Sequence, residues 1–446
     1  MFRPLALPAR TAAILIMTLG LGLAACTNQP QQGGNLVEVR PPGQSGQPAA
    51  AEPAAPAVTA APQGNVMPGT LEPPVVTSDA GLPPVTAPGT TATPGLSLKP
   101  SRPDAIRIGL LLPLSGPSAE AGRALLDAAQ LALFDMPDDR VVLMPRNTES
   151  EADGGPRGAA EALVNDGAEI ILGPLFSTQV AAVAEVARPR NVPVVSFSSD
   201  RSVAGNGVYV MGFTPEEQVE RIVAYAAAQG LSKFAILTPE NAYGRVVSNA
   251  FDAAVQKANA TVVKQGTYPD QGDATRSAQR FMSGGSTYDA LLLAAGNVPR
   301  LRAVAPSLGY YNLDPTKVRV LGTGVWDDPG VLGEPTLVGA WFSAPGADAK
   351  TNFADRFSKS YGRRPPVIAS LGYDAVSLAA ALGRDRPGQA FTPQALTDPN
   401  GFAGYGGIFR FRPDGIGEHG LSVMEIESRG FKTVDPAPTS FQVPSN

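Results

Sequence analysis

The sequence predicts an α/β fold of two doubly wound lobes preceded by a disordered tether. Three observations carry it. From residue 106 onward, short buried apolar runs alternate with amphipathic stretches of helical period, the pattern of successive β-α units. The series starts afresh at Thr214, where Thr-Pro-Glu-Glu217 signals a helix start, so the pattern divides into two halves. Ahead of it, Thr27 to Arg102 contains no aromatic residue and is rich in Pro, Ala, Gly and Thr. Such a composition cannot bury enough apolar surface to offset its ordering entropy.

In chain order, residues 1–25 are expected to be a signal peptide. Arg3 and Arg10 precede an apolar run from Ala12 to Leu23, too short to cross a bilayer comfortably, and Leu23-Ala24-Ala25-Cys26 follows. That closing string resembles the lipobox of bacterial lipoproteins, which implies cleavage before Cys26 and acylation of its thiol. Cys26 is the only cysteine in the chain, so the folded part has no disulfide and relies on its core. Acyl chains contribute roughly 0.8 kcal/mol per buried methylene, enough for a multiply acylated Cys26 to hold the protein on a membrane. Residue 27 is Thr. In enterobacterial lipoproteins an Asp there marks inner-membrane retention, so the resemblance implies a periplasmic protein anchored in the outer rather than the inner membrane. Residues 26–103 are the tether. The 76 residues from Thr27 to Arg102 span roughly 50 Å as a flexible coil and about 230 Å drawn into polyproline II.

Residues 104–446 carry the fold. The first series reads as strand 106–112, turn 113–117, helix 119–134, strand 141–144, helix 158–165, strand 169–172, helix 178–187, and strands 192–196 and 208–211. This order requires a mostly parallel sheet with helices on both faces. In the second, helices 216–229, 243–259, 274–282 and 298–308 alternate with strands 234–238, 261–268, 290–294 and 318–322. A strand at 337–344, helices 352–361 and 367–382, and strands 407–412 and 421–427 complete the chain, the last two reading as an antiparallel hairpin. Lobe one is expected over about 104–213 and 345–400, lobe two over about 214–344 and 401–446.

The residues exclude more chemistry than they suggest. A net charge of -5 without a basic cluster argues against nucleic acid as a partner. His419 is the only histidine and lies in the polar string Gly417-Glu-His-Gly420, where it is expected to be solvated. With no second histidine and no thiol beyond Cys26, zinc sites of the Cys/His or multi-His kind and nucleophilic Cys/His pairs are excluded. Gly322-Thr-Gly324 lacks the third glycine of a dinucleotide loop, no Walker A string occurs, and the neighbouring pairs Asp327-Asp328 and Glu216-Glu217 diverge. No catalytic residue, cofactor or metal is expected.

Several strings resemble one family. They are Ile108-Gly-Leu-Leu-Leu-Pro-Leu-Ser-Gly116, Leu172-Gly-Pro-Leu-Phe-Ser177, Val192-Pro-Val-Val-Ser-Phe-Ser-Ser199, Tyr243-Gly244, Tyr373-Asp-Ala375 and Gly407-Ile-Phe-Arg-Phe-Arg-Pro-Asp-Gly415. Together they resemble the type I periplasmic binding proteins of the leucine-binding family over residues 104–446. Leu110 to Gly116 running into Ala124 to Asp135, with Gly173 to Phe176 and Ser196 to Asp200, is more similar to the penicillin-binding protein activator branch.

Ligands of open α/β sheets sit beyond the carboxyl ends of the strands. The candidates there are Ser115, Ser177, Thr178, Ser198 and Ser199 in lobe one, and Tyr243, Trp326 and Asp327 in lobe two. The resemblance implies that Ser177, Thr178 and Ser198 hold a ligand carboxylate, Tyr243 covers the ligand and Asp327 takes its ammonium. Each has a structural alternative: Thr178 as a helix N-cap, Tyr243 and Trp326 as packing residues, Asp327 as a solvated turn acid. Ala295-Gly296-Asn297 departs from the large groups that amino-acid receptors often place after that strand.

The resemblance to the activator branch implies a non-enzymatic regulator of peptidoglycan synthesis that contacts a penicillin-binding protein. The alternative is a substrate-binding receptor for amino acids or related small molecules that feeds an ABC importer. If Cys26 is the anchor, Cys26→Ser should move the protein from the membrane pellet to the soluble fraction; a variant that still sediments with membranes would remove the anchor from the account.

Overall fold

The computed structural model describes residues 104–441 apart from 137, 285–286 and 386–389. The expected signal peptide, Cys26 and the tether lie outside the described residues.

Lobe one is built on β1 (Ile106–Leu112), β2 (Val141–Asn147), β3 (Ile170–Leu172), β4 (Val194–Ser196) and β5 (Val208–Val210). They form a parallel sheet in the order β2-β1-β3-β4-β5. All of β1 except Arg107 is buried, as a strand covered on both faces requires. α1 (Ala119–Asp135) covers one face with Leu125 and Ala129. α2 (Gly155–Asn165) and α3 (Ser177–Ala187) cover the other with Leu163, Val180 and Val183.

Lobe two opens with α4 (Pro215–Ala228), whose start is fixed by a capping box. The Thr214 N–H donates to Glu217 Oε1 at 2.7 Å and the Glu217 N–H donates to Thr214 Oγ1 at 3.4 Å. Then follow β6 (Lys233–Pro239), α5 (Ala242–Lys257), β7 (Thr261–Tyr268), α6 (Thr275–Met282), β8 (Ala290–Leu293), α7 (Val298–Tyr310), β9 (Arg319–Gly322) and β10 (Trp341–Pro345). α4 and α5 pack on one face through Val219, Ile222, Val247 and Phe251, and α6 and α7 on the other through Phe281, Leu301 and Val304.

The chain then returns to lobe one. α8 (Ala347–Tyr361) sets Phe353 and Phe357 against Ala124 and Ala128 of α1, and α9 (Ala369–Asp385) lays Leu371, Ala375 and Leu378 into the same core as Leu125. α10 (Pro393–Leu396) follows.

The tail corrects the sequence expectation. β11 (Phe402–Gly404), β12 (Gly407–Phe411) and β13 (Gly417–His419) form a separate antiparallel sheet, while β14 (Leu421–Glu427) and β15 (Gly430–Asp435) extend the lobe-two sheet, in the order β15-β14-β10-β9-β8-β6-β7. Strands 407–412 and 421–427 are therefore not a hairpin, and 402–419 packs on lobe one rather than lobe two. Alternate residues of β12, Phe409 and Phe411, are buried in the lobe-one core, Phe411 lies 5.4 Å from Tyr209 of β5, and Ile416 bridges Val210. Only beyond Gly420 does the chain reach β10, with which β14 pairs antiparallel. β10 begins at Trp341 rather than 337, because Pro335–Leu337 closes a 3₁₀ turn.

The chain thus passes between the lobes three times, at Gly212–Phe213, after Pro345 and at Gly420. Gly212 has no room for a side chain: a Cβ there would stand 2.4 Å from the Ser198 carbonyl oxygen. At Gly322 a Cβ would lie 2.2 Å from the ring of the fully buried Trp326. Gly322→Ala is therefore expected to cost about 1–3 kcal/mol in urea unfolding, as overpacked cores do; a variant as stable as the parent would mean that the ring can yield.

Candidate functional site

The carboxyl ends of the two sheets face a cavity of about 570 Å³, a size suited to a small organic ligand. Lobe one supplies Leu175 to Ser177 at the start of α3, Phe197 to Asp200 after β4, and Val367, Ile368 and Leu371 at the start of α9. From lobe two come Gln218 of α4, Gly324, Val325, Asp327 and Asp328 after β9, Ser343 to Pro345 of β10, and Leu421.

Of the residues expected from sequence, Ser177, Ser198, Ser199 and Asp327 line this cavity. The Ser198 hydroxyl accepts the Asp200 N–H at 3.1 Å, and its own N–H donates to Ser196 Oγ at 3.1 Å, so the loop after β4 is held from behind. Asp200 caps the following turn, accepting Ser202 N–H at 2.9 Å and the Ser202 hydroxyl at 2.7 Å. The Ser202 hydroxyl bond is the main cause that holds the Asp200 carboxyl below its ordinary range, with a smaller contribution from the Ser177 hydroxyl. Asp327 is almost wholly buried at the opposite wall.

The other four lie elsewhere. Ser115 is exposed and its hydroxyl accepts from Asn147 Nδ2 at 2.8 Å, one strand away from the cavity. Thr178 is exposed on α3 and is not its N-cap, a position held by Phe176. The Tyr243 hydroxyl lies 3.1 Å from Thr323 Oγ1, behind the cleft wall; desolvation pushes this phenol up, and Thr323 partly offsets the effect. Trp326 is a core residue, packed under Gly322 and 6.5 Å from Phe342, and it anchors the turn that presents Val325 and Asp327.

Gln218, Ser343 and Leu421 were missed by sequence reasoning. Gln218 ties three segments together: its Nε2 donates to the Phe213 carbonyl at 3.2 Å, its Oε1 accepts the Gly324 N–H at 2.7 Å, and its own carbonyl accepts the Ser343 hydroxyl at 2.9 Å. Only the capping box just before it marks that turn of α4 in the sequence. Nothing local marks Ser343 or Leu421, which reach the cleft from the second and third crossings.

A family model described as periplasmic binding protein matches residues 105–431. The chain belongs to this family. Membership implies a periplasmic location. Three solved structures show the same fold. One from Rhodospirillum rubrum, assigned to branched-chain amino acid ABC transport, is 22% identical and covers 74% of this chain and 100% of its own, with a TM-score of 0.66. A solute-binding protein of an ABC transporter from Rhodopseudomonas palustris, in complex with 3,4-dihydroxybenzoic acid, is 19% identical with a TM-score of 0.57, covering 75% and 99%. A branched-chain amino acid transporter substrate-binding protein from Streptococcus pneumoniae, in complex with isoleucine, is 19% identical with a TM-score of 0.56, covering 74% and 100%. An uncharacterized protein of Rickettsia prowazekii is 24% identical over 217 residues, 47% of this chain; the match spans 58% of that relative's length.

In this periplasmic binding protein a buried polar pair joins the lobes beside the cleft. His419, expected in solvent, is instead buried, with its Nδ1 3.1 Å from Glu217 Oε1. Asp374 of α9 is also buried and accepts the N–H groups of Tyr405 at 2.6 Å and Gly406 at 2.9 Å. Burial pushes its carboxyl up to about 6, against the pull of those two amides and of His419. An acid raised on folding binds its proton more tightly in the folded state. Its contribution to stability is therefore full below about pH 4 and is lost as pH rises through about 6. Between about pH 4.5 and 7.5 the parent should lose on the order of 2 kcal/mol relative to Asp374→Asn in denaturant unfolding. Parallel pH profiles for the two proteins would show that the carboxyl does not titrate in that window.

Proposed function

We propose that this chain is a non-enzymatic receptor that binds a small molecule with a polar head and an apolar body between its lobes and delivers it to an ABC importer. The convergence of Ser177, Ser198, Ser199 and Asp327 on one cavity carries the reading, with serine hydroxyls and Asp200 on one wall and Asp327 and Asp328 on the other. For an amino acid, the carboxylate would sit at the Ser177 and Ser198 hydroxyls and the amides at the start of α3, where a helix N-terminus favours an anion. The ammonium would face Asp327, and Val367, Ile368 and Leu371 would take the side chain. The ABC-transporter binding proteins that share this fold support an importer receptor.

A regulator of peptidoglycan synthesis is the second reading. It rests on Thr27 after Cys26 and on the length of the segment from Thr27 to Arg102, features that suit a lipid on Cys26 in the outer membrane and contact with a penicillin-binding protein.

Calorimetry of the full chain against L-leucine, L-isoleucine, 3,4-dihydroxybenzoate and a wall peptide separates the two. The receptor reading expects micromolar binding of one of the three small molecules, weakened at least about tenfold, or about 1.4 kcal/mol, by Ser198→Ala or by Asp327→Asn. No binding of any of them, together with capture of a penicillin-binding protein, would favour the regulator. Thr27→Asp adds a second readout, since a regulator acting from the outer membrane should lose function and an importer receptor should not.

A further inference from the structure

Three ionisable side chains that the cleft does not use meet where the lobes join. His419 ends β13, and 4% of its side chain is exposed. Its Nδ1 lies 3.1 Å and 3.2 Å from the two carboxylate oxygens of Glu217, and its backbone N–H donates to Glu217 Oε2 at 3.1 Å. Its Nε2 is buried with no hydrogen-bond partner. Phe213 of the first crossing packs 4.6 Å from the imidazole, and Phe409 of β12 stacks on it at 6.2 Å. Asp374 of α9 accepts the Tyr405 and Gly406 N–H groups. It lies against the same segment: a Cβ on Gly406 would stand 3.2 Å from Asp374 Oδ2 and 3.4 Å from Phe213 Cζ.

The three groups divide between the two lobes. Glu217 sits in the first turn of α4 and belongs to lobe two, whereas Asp374 on α9 and His419 at the end of β13, just before the third crossing, belong to lobe one. We propose that His419, Glu217 and Asp374 form a proton-operated latch that sets the angle between the lobes and thereby the access to the cleft.

The charge arithmetic favours a proton on the cluster. With both carboxylates ionised and the imidazole neutral, the junction would carry two negative charges away from water, a costly state. One proton removes half of that charge, and burial already pushes the Asp374 carboxyl up to about 6. The surrounding charges are engaged with one another. Arg410 pairs with Glu418 on the same hairpin at 2.6 Å, and Arg412 approaches that Glu418 at 3.9 Å. Arg201 donates to Thr214 Oγ1 and lies 3.7 Å from Glu216. Beside Asp374, Arg356 pairs with Asp135 and donates to the Tyr405 hydroxyl, while Tyr373 donates to Asp135. Among the described residues, His419 is therefore the basic side chain paired with Glu217. Rotating one lobe against the other changes the distance from His419 to Glu217, the contact of this cluster that crosses between the lobes. By linkage, adding or removing the proton biases the rotation by the same free energy.

The consequence for ligand access rests on the receptor reading, whereas the latch can be tested without a ligand. Nitroxide labels at Glu161→Cys on α2 and Ala253→Cys on α5, in the full chain carrying Cys26→Ser, report the separation of the lobes by pulsed electron spin resonance. The parent distance distribution should shift by several ångströms between about pH 5 and about pH 8, and Asp374→Asn and His419→Asn should each hold one distribution across that range. If either variant fails to fold, Glu217→Gln takes its place. A parent distribution that does not change with pH would overturn the latch, and so would variants that follow the parent's pH course. Either result leaves the receptor reading standing, because that reading falls only with the binding measurements.

Discussion

The first turn of α4 holds this fold together. Thr214 caps the helix, and its hydroxyl also accepts from Arg201 of lobe one at 2.9 Å. Glu217 completes the capping box and turns its other carboxylate oxygen to the His419 N–H. Gln218 fastens the Phe213 carbonyl, the Gly324 amide and the Ser343 hydroxyl, and Arg221 one turn further donates to the Leu421 carbonyl at 2.8 Å. One helix start therefore gathers residues at or near all three crossings and one wall of the cleft. Helix N-termini carry unsatisfied N–H groups that have to be partnered. Here the residues that partner them also join the lobes.

The cleft inherits its character from that junction. Its lobe-one wall combines serine hydroxyls at the ends of parallel strands with apolar side chains such as Phe197, Ile368 and Leu371, and behind it Ser196 Oγ donates to the Pro174 carbonyl at 3.0 Å. Its lobe-two wall is a turn fixed from below by Trp326, whose ring occupies the space that a side chain on Gly322 would need. A turn over a packed aromatic and a capped loop opposite it give two walls of defined shape on either side of the junction, an arrangement suited to enclosing a small molecule.

Much of the architecture was legible in the chain. β1 reads as a continuous buried run because both its faces are covered, and α4 announces itself by Thr214, Pro215 and Glu217. The tail was misread. Strands of three residues such as β11 and β13 carry too little periodicity, and the alternation in β12 shows that one face is buried without showing against which lobe. Four of the eight candidates, Ser177, Ser198, Ser199 and Asp327, come together at the cavity, and their places follow from lying after strands. Ser115 and Tyr243 follow strands too, but they fall outside the cavity, Ser115 beside the edge strand β2 and Tyr243 behind the wall.

By itself the sequence determined the alternation of strands and helices, the break between two series at Thr214, and the loops from which a site could be drawn. Hydrophobic period and capping chemistry act over a few residues and are written locally. Tertiary structure alone decided which loops meet, that Gln218, Ser343 and Leu421 join them, and that the lone histidine is buried between lobes rather than solvated in a turn. These outcomes depend on contacts between residues up to about two hundred positions apart, such as His419 with Glu217, and on which face of a short strand finds a core. Nothing in the local sequence encodes that choice, because it is made by the packing of elements that the chain brings together only once it has folded.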